Sequence, residues 1–212
     1  MKIVRFIVIT LLLLAYALSV HHVNTTGQSS ALGGILVLIP LFIIAISIAL
    51  QATSRLKGGL LVAAVSLGAF FLWAQIMQNT SYLFWLQDIG LLTILLATFA
   101  RTLKAGQKPL CVKFAEIINQ GNLPPEHERY ARNITIAWAA FFAMMIVISS
   151  ILFFFAPLAT WSFFVNFLTL PLVGLMFVTE YLVRRQLLTD LPEGSVLDAI
   201  RTYINHTSVK SR

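Results

Sequence analysis

Charge is scarce in this chain. Lys, Arg, Asp and Glu together make up 11% of its 212 residues, while 58% are hydrophobic. A soluble domain carries about a quarter charged residues and is about half apolar, so both departures exclude an ordinary water-exposed globule. A single cysteine, Cys111, excludes an internal disulfide framework. No HExxH, CxxC, glycine-rich phosphate loop or serine-centred nucleophile elbow occurs. No metal site and no cofactor is therefore expected.

What is present is long apolar segments. Six of them, at 3–20, 31–51, 58–77, 81–100, 133–155 and 161–183, are close to the roughly 20 residues that cross about 30 Å of hydrocarbon. The expected fold is all-α, an integral membrane bundle of about six transmembrane helices over residues 1–186, with a tail at 187–212.

The net charge of +7 could point to nucleic acid, but the cations are not scattered. Lys2 and Arg5 begin the first span, and Arg55 and Lys57 join the second to the third. Arg101, Lys104, Lys108, Lys113, Arg129 and Arg132 fill the loop 101–132, and Arg184, Arg185, Arg201, Lys210 and Arg212 follow the sixth span. All fifteen thus fall on one side of a six-span chain, and the opposite loops, 21–30, 78–80 and 156–160, carry none. The positive-inside rule then predicts that both termini are cytoplasmic. The basic excess reports topology and implies no nucleic-acid partner. Trp73, Tyr82, Trp85 and Trp161 are expected as interfacial anchors at the outer ends of their spans. The first span also fits a signal peptide, with a basic start and Ala17 and Ser19 before a possible cleavage point. The retained span is preferred because the remaining helices form a bundle it can join.

Two cytoplasmic pieces carry helical patterns. Leu110, Phe114, Ile117 and Ile118 share a face of a short amphipathic helix expected at the membrane surface. In the tail, Ser195 and Asp198 begin a helix whose Val196, Ile200, Tyr203 and Ile204 share a face. The run LPPEHERYARN starts the fifth helix, with Pro125 in its first turn, Glu126 and Glu128 at its positive end, and Glu126–Arg129 and Glu128–Arg132 at pairing distance. Close helix approach is expected at Gly33, Gly34, Ala64 and Gly68.

One residue breaks the rule that spans lack charge. Asp88 lies seven residues into SYLFWLQDIGLLTILLATFA, roughly 10 Å along a helix. An aspartate at a helix centre costs about 2.5–3.5 kcal/mol on an insertion scale, which the surrounding Leu, Ile and Phe at about 0.3–0.6 kcal/mol each offset. No cation is expected at that depth, so the acid should be mainly protonated and hydrogen-bonded within the bundle. Asn166 is its expected partner, with Gln75 and Thr169 completing a candidate polar cluster. Such an acid can be a relay or cation site, or a knot that fixes helix packing. In the sixth span Ser162, Asn166, Thr169, Val173, Met176 and Glu180 follow one face, and Pro171 should kink the helix. Glu180 and Arg184, one turn apart, form an expected structural ion pair. His21 and His22 stand in the first outer loop with no evident third ligand, and Cys111 is expected to pack.

The runs KPLCVKFAEIINQGNLPPEHERYARNITIAW and TWSFFVNFLTLPLVGLMFVTEYLVRR resemble, over residues 105–186, a family of bacterial membrane proteins of unknown function. That family is associated with aryl-polyene and xanthomonadin-type biosynthetic clusters, beside fatty-acid-synthase-like enzymes. The resemblance supplies no catalytic residues. It implies a context, the assembly or movement of a polyene acyl lipid at the inner membrane, and no role. The role expected within it is a non-enzymatic accessory or scaffold, with membrane lipid and cytosolic acyl-chain enzymes or acyl carrier protein as partners. A small transporter or lipid exporter built around Asp88 is the alternative, and a membrane acyl- or glycosyltransferase a more distant one.

Overall fold

The computed structural model describes residues 2–26, 31–119 and 123–187, and among these all regular structure is helical. The helices are α1 (Lys2–Thr26), α2 (Ala31–Gln51), α3 (Arg55–Phe71), α4 (Trp73–Gln78), α5 (Thr80–Arg101), α6 (Leu110–Ile118), α7 (Pro125–Phe155), α8 (Leu158–Phe163) and α9 (Thr169–Leu187). A π-helical turn, Phe164–Leu168, joins α8 to α9. The helix expected over 195–212 lies outside the described residues.

Among the described residues, five stretches are long and apolar enough to cross a membrane: Val4–Thr26, Ala31–Gln51, Thr80–Arg101, Pro125–Phe155 and Leu158–Leu187. The segment expected as the third span is divided instead. At Leu72 the backbone turns to φ −96°, ψ 8°, leaving α3 with 17 residues, about 26 Å and short of the hydrocarbon thickness. The break is local. Leu72 N–H still donates to Gly68 O at 2.9 Å, and Ile76 N–H donates to Leu72 O at 2.9 Å.

Helix α1 runs through Thr26, so His21, His22 and Asn24 are helical and not in a loop as expected. Thr25 and Thr26 hydroxyls donate to His22 O at 2.8 and 3.1 Å, satisfying a carbonyl that the helix end would otherwise strand. Val20, Val23 and Asn24 are buried, which anchors the added turns. The expected loop at 78–80 contracts to Asn79 between α4 and α5.

The chain forms two compact units. The first comprises residues 1–90 and 148–171. Its core gathers Val20, Val23, Leu36, Val37, Phe84, Phe153 and Trp161. Proline in the middle of α2 organises its polar contacts. Pro40 has no N–H to give to Leu36 O, one turn back. Tyr16 of α1 supplies a hydroxyl to that carbonyl at 3.2 Å, and Gln87 of α5 donates to the next one, Val37 O, at 2.7 Å. Two glycines permit close approach here. A Cβ on Gly34 would lie 3.1 Å from the Trp73 ring, and one on Gly58 would lie 2.6 Å from Ala49 O. Gly68, expected to serve the same purpose, faces open space.

Of the described residues, the second unit comprises those within 91–147 and 172–187. Trp138 is its aromatic centre, with Phe99, Phe142 and Phe177 rings at 5.9, 5.6 and 4.6 Å. The amphipathic helix α6 is held by two backbone donors, one to the turn that follows α5 and one to α7. Leu110 N–H reaches Thr102 Oγ1 at 2.9 Å, and Cys111 N–H reaches Thr135 Oγ1 at 3.1 Å. Val112 is completely buried beneath it.

Candidate functional site

Asp88 of α5 has a partner, and it is not Asn166. Ser149 Oγ donates to Asp88 Oδ2 at 2.6 Å, and Trp161 Nε1 donates to Ser149 Oγ at 3.1 Å. The indole N–H fills one lone pair of the hydroxyl and turns its proton towards the carboxyl. The donors run in one direction, from α8 through α7 to α5, so each bond polarises the next. Ser149 has no exposed surface and Trp161 only 1%. Trp161 is therefore a buried hydrogen-bond donor and not the interfacial anchor expected. It packs edge-on against Phe153, which in turn stacks on Trp85.

Asn166 belongs to a second cluster in the same unit. Its amide donates to Ser162 O at 2.8 Å and to Ser162 Oγ at 3.2 Å. Asn24 Nδ2 approaches the same Oγ at 3.4 Å while its Oδ1 accepts from Ser81 Oγ at 2.8 Å. His21 Nδ1 stands 3.2 Å from Ser162 Oγ. A serine hydroxyl has two acceptor lone pairs and one proton. Two amides can donate to it, and the direction of its contact with His21 Nδ1 is set by the imidazole tautomer. Phe163 and Phe167 meet the His21 ring edge-on, at 6.4 and 5.5 Å between centroids.

A π turn, Phe164–Leu168, follows Ser162 and contains Asn166. Within it Thr169 N–H reaches back five residues to Phe164 O, so a face drawn at 3.6 residues per turn loses register there. The turn lies just before Pro171, where a kink was expected. Thr169 Oγ1 also points at Phe164 O, at 3.3 Å. Gln75 is exposed on α4, and its side chain joins neither cluster. The four residues expected together thus fall into a triad, a quintet and two separate places. Ser149, Ser81 and Asn24 were missing from that expectation. The pair Ser149–Ser150, interrupting the apolar run of α7, was the visible signal.

In the second unit, Glu180 Oε1 lies 3.7 Å from Arg184 Nε. Tyr130 OH donates to Glu180 O at 3.1 Å, a partner that spacing along α9 could not show. At the start of α7 the expected pairs Glu126–Arg129 and Glu128–Arg132 do not close. Among the described residues the side-chain ion pairs are Glu180–Arg184 and Lys108–Glu116, the latter at 2.7 Å. Instead Glu128, Arg129 and Arg132 line a cavity of about 250 Å³ with Pro109, Val112 and Pro125. Cys111 is half-buried beside Thr135. Desolvation pushes its thiol pKa up, against a smaller lowering by the Thr135 hydrogen bond, and the negative charge of Glu180 adds to the rise. Both ring nitrogens of His127 are buried without a hydrogen-bond partner. No three His, Cys, Asp or Glu side chains are grouped to hold a metal among the described residues.

No family model matches the chain, and no curated protein and no solved structure matches it significantly.

Proposed function

We propose that the chain is a six-span protein of a bacterial inner membrane, with both termini cytoplasmic, that serves as a non-enzymatic scaffold for acyl-lipid assembly of the aryl-polyene type. The 17 residues of α3, the break at Leu72 and the 6 of α4 together rise about 36 Å, enough for a sixth crossing. A sixth crossing also keeps every cation on one side.

The observation that carries the scaffold reading is the commitment of Asp88. Its carboxyl is held by Ser149, and Ser149 by Trp161, in contacts that fix three helices. Cytosolic acyl-chain enzymes or acyl carrier protein would meet the basic face that carries α6. Transport is the second reading, favoured by the π turn beside the His21–Ser162 cluster, since π turns recur at functional sites.

The test is a pair of lesions in a polyene-producing strain. Asp88→Asn and Asn166→Ala should leave product level and membrane abundance unchanged. Leu110→Glu with Phe114→Glu, or deletion of 195–212, should abolish co-purification with acyl carrier protein. Loss of exported product in Asp88→Asn at normal membrane abundance would replace the scaffold reading by the transport one. Unaltered recovery of the carrier protein after both cytoplasmic lesions would remove the scaffold reading outright.

A further inference from the structure

We infer that the cavity between α6 and the start of α7 binds the phosphate of an anionic phospholipid headgroup. This goes beyond the scaffold reading and does not depend on it. The lining sets two guanidinium groups, Arg129 and Arg132, against one carboxylate, Glu128. Among the described residues neither arginine is in an ion pair. A guanidinium fork presents paired N–H donors that match phosphate oxygens, and two forks on successive turns can hold one phosphate from two sides. The rest of the lining, Pro109, Val112 and Pro125, is apolar and suits the glycerol end of a lipid better than a hydrated free anion. The volume of about 250 Å³ is roughly eight times the share of one water molecule in the liquid, room for a phosphate and its glycerol.

Position along the helix supplies an independent argument. Arg132 is the last charged residue of α7, and none follows through Phe155. The cavity therefore sits where the helix passes from charged to apolar, the level at which lipid phosphates lie. Helix α6 carries Phe114 and Ile117 with 46% and 42% of their surfaces exposed, as expected of a helix lying in the headgroup boundary. Its attachment through Thr102, Thr135 and Val112 holds one wall of the cavity in place.

The experiment uses the full-length protein in detergent, offered equal amounts of phosphatidylglycerol and phosphatidylcholine with matched acyl chains, with bound lipid counted by native mass spectrometry. Phosphatidylglycerol should be preferred. Arg129→Ala or Arg132→Ala should lower that preference about fivefold each, and the double variant about thirtyfold. Lys113→Ala removes an exposed cation of α6 that does not line the cavity, and should change it little. Glu128→Gln should raise retention, a gain that misfolding cannot mimic. Equal binding of the two lipids would overturn the proposal. So would an effect of Lys113→Ala as large as that of Arg129→Ala, which would mean diffuse attraction and no built site. Full displacement of the lipid by millimolar inorganic phosphate would assign the cavity to a soluble anion. Arginine-dependent capture of purified acyl carrier protein, without lipid preference, would assign it to a protein partner.

Discussion

Two polar sites, one in each unit, are handled in opposite ways. Around Asp88 and Ser162, hydroxyl, amide, indole and imidazole groups are spent on one another, and Asn24, Ser149, Trp161 and Ser162 are buried. Around the start of α7, two arginines and a glutamate border an open cavity without closing on each other. Hydrocarbon offers no competing hydrogen bonds, so a polar group placed there must find a protein partner. Where water is at hand, charge can be left available. The same chain thus fastens helices with polar residues around Asp88 and presents a charged recess at the start of α7.

The largest expected break in this contrast is Trp161→Ala. It removes a fully buried ring and the donor that orients Ser149, and should cost about 3 kcal/mol or more, read as a lowered unfolding midpoint in detergent. Next comes Ser149→Ala, which strands both the Asp88 carboxyl and the Trp161 indole, at about 1–2 kcal/mol. Asp88→Asn should cost less than Ser149→Ala, because an amide oxygen can still accept from the serine. If Asp88→Asn proved the more harmful, the carboxyl would have a role beyond packing.

The smallest effect is kinetic and belongs to the second unit. Desolvation raises the Cys111 pKa, so the thiolate fraction at neutral pH is reduced. Maleimide labelling of the folded protein should be slower than that of the unfolded chain and should climb steeply as pH rises through the raised pKa. Equal rates for folded and unfolded protein at neutral pH would show that the α6–α7 contact is open in solution.

Apolar length was legible in single residues: the helices of five candidate spans, the amphipathic α6 and the first turn of α7 all follow from local pattern. Leu72 was not legible, because nothing in its chemistry ends a helix. The run HHVNTT looked like a loop because its polarity hid the burial of Asn24. Small residues misled in both directions: Gly68 meets nothing, whereas Gly58 is closed against the Ala49 carbonyl.

Composition and periodicity settled that this chain is helical and built for lipid, since the cost of exposed backbone and charge in hydrocarbon acts residue by residue. They also marked Asp88 as a residue in need of a partner. Which partner it found was decided only by tertiary structure. Asn166 turns to Ser162, one turn back along its own helix, and a serine from α7 and an indole from α8 reach the acid instead. A hydrogen bond depends on ångström-scale positions of groups far apart in the chain, and no local pattern encodes those.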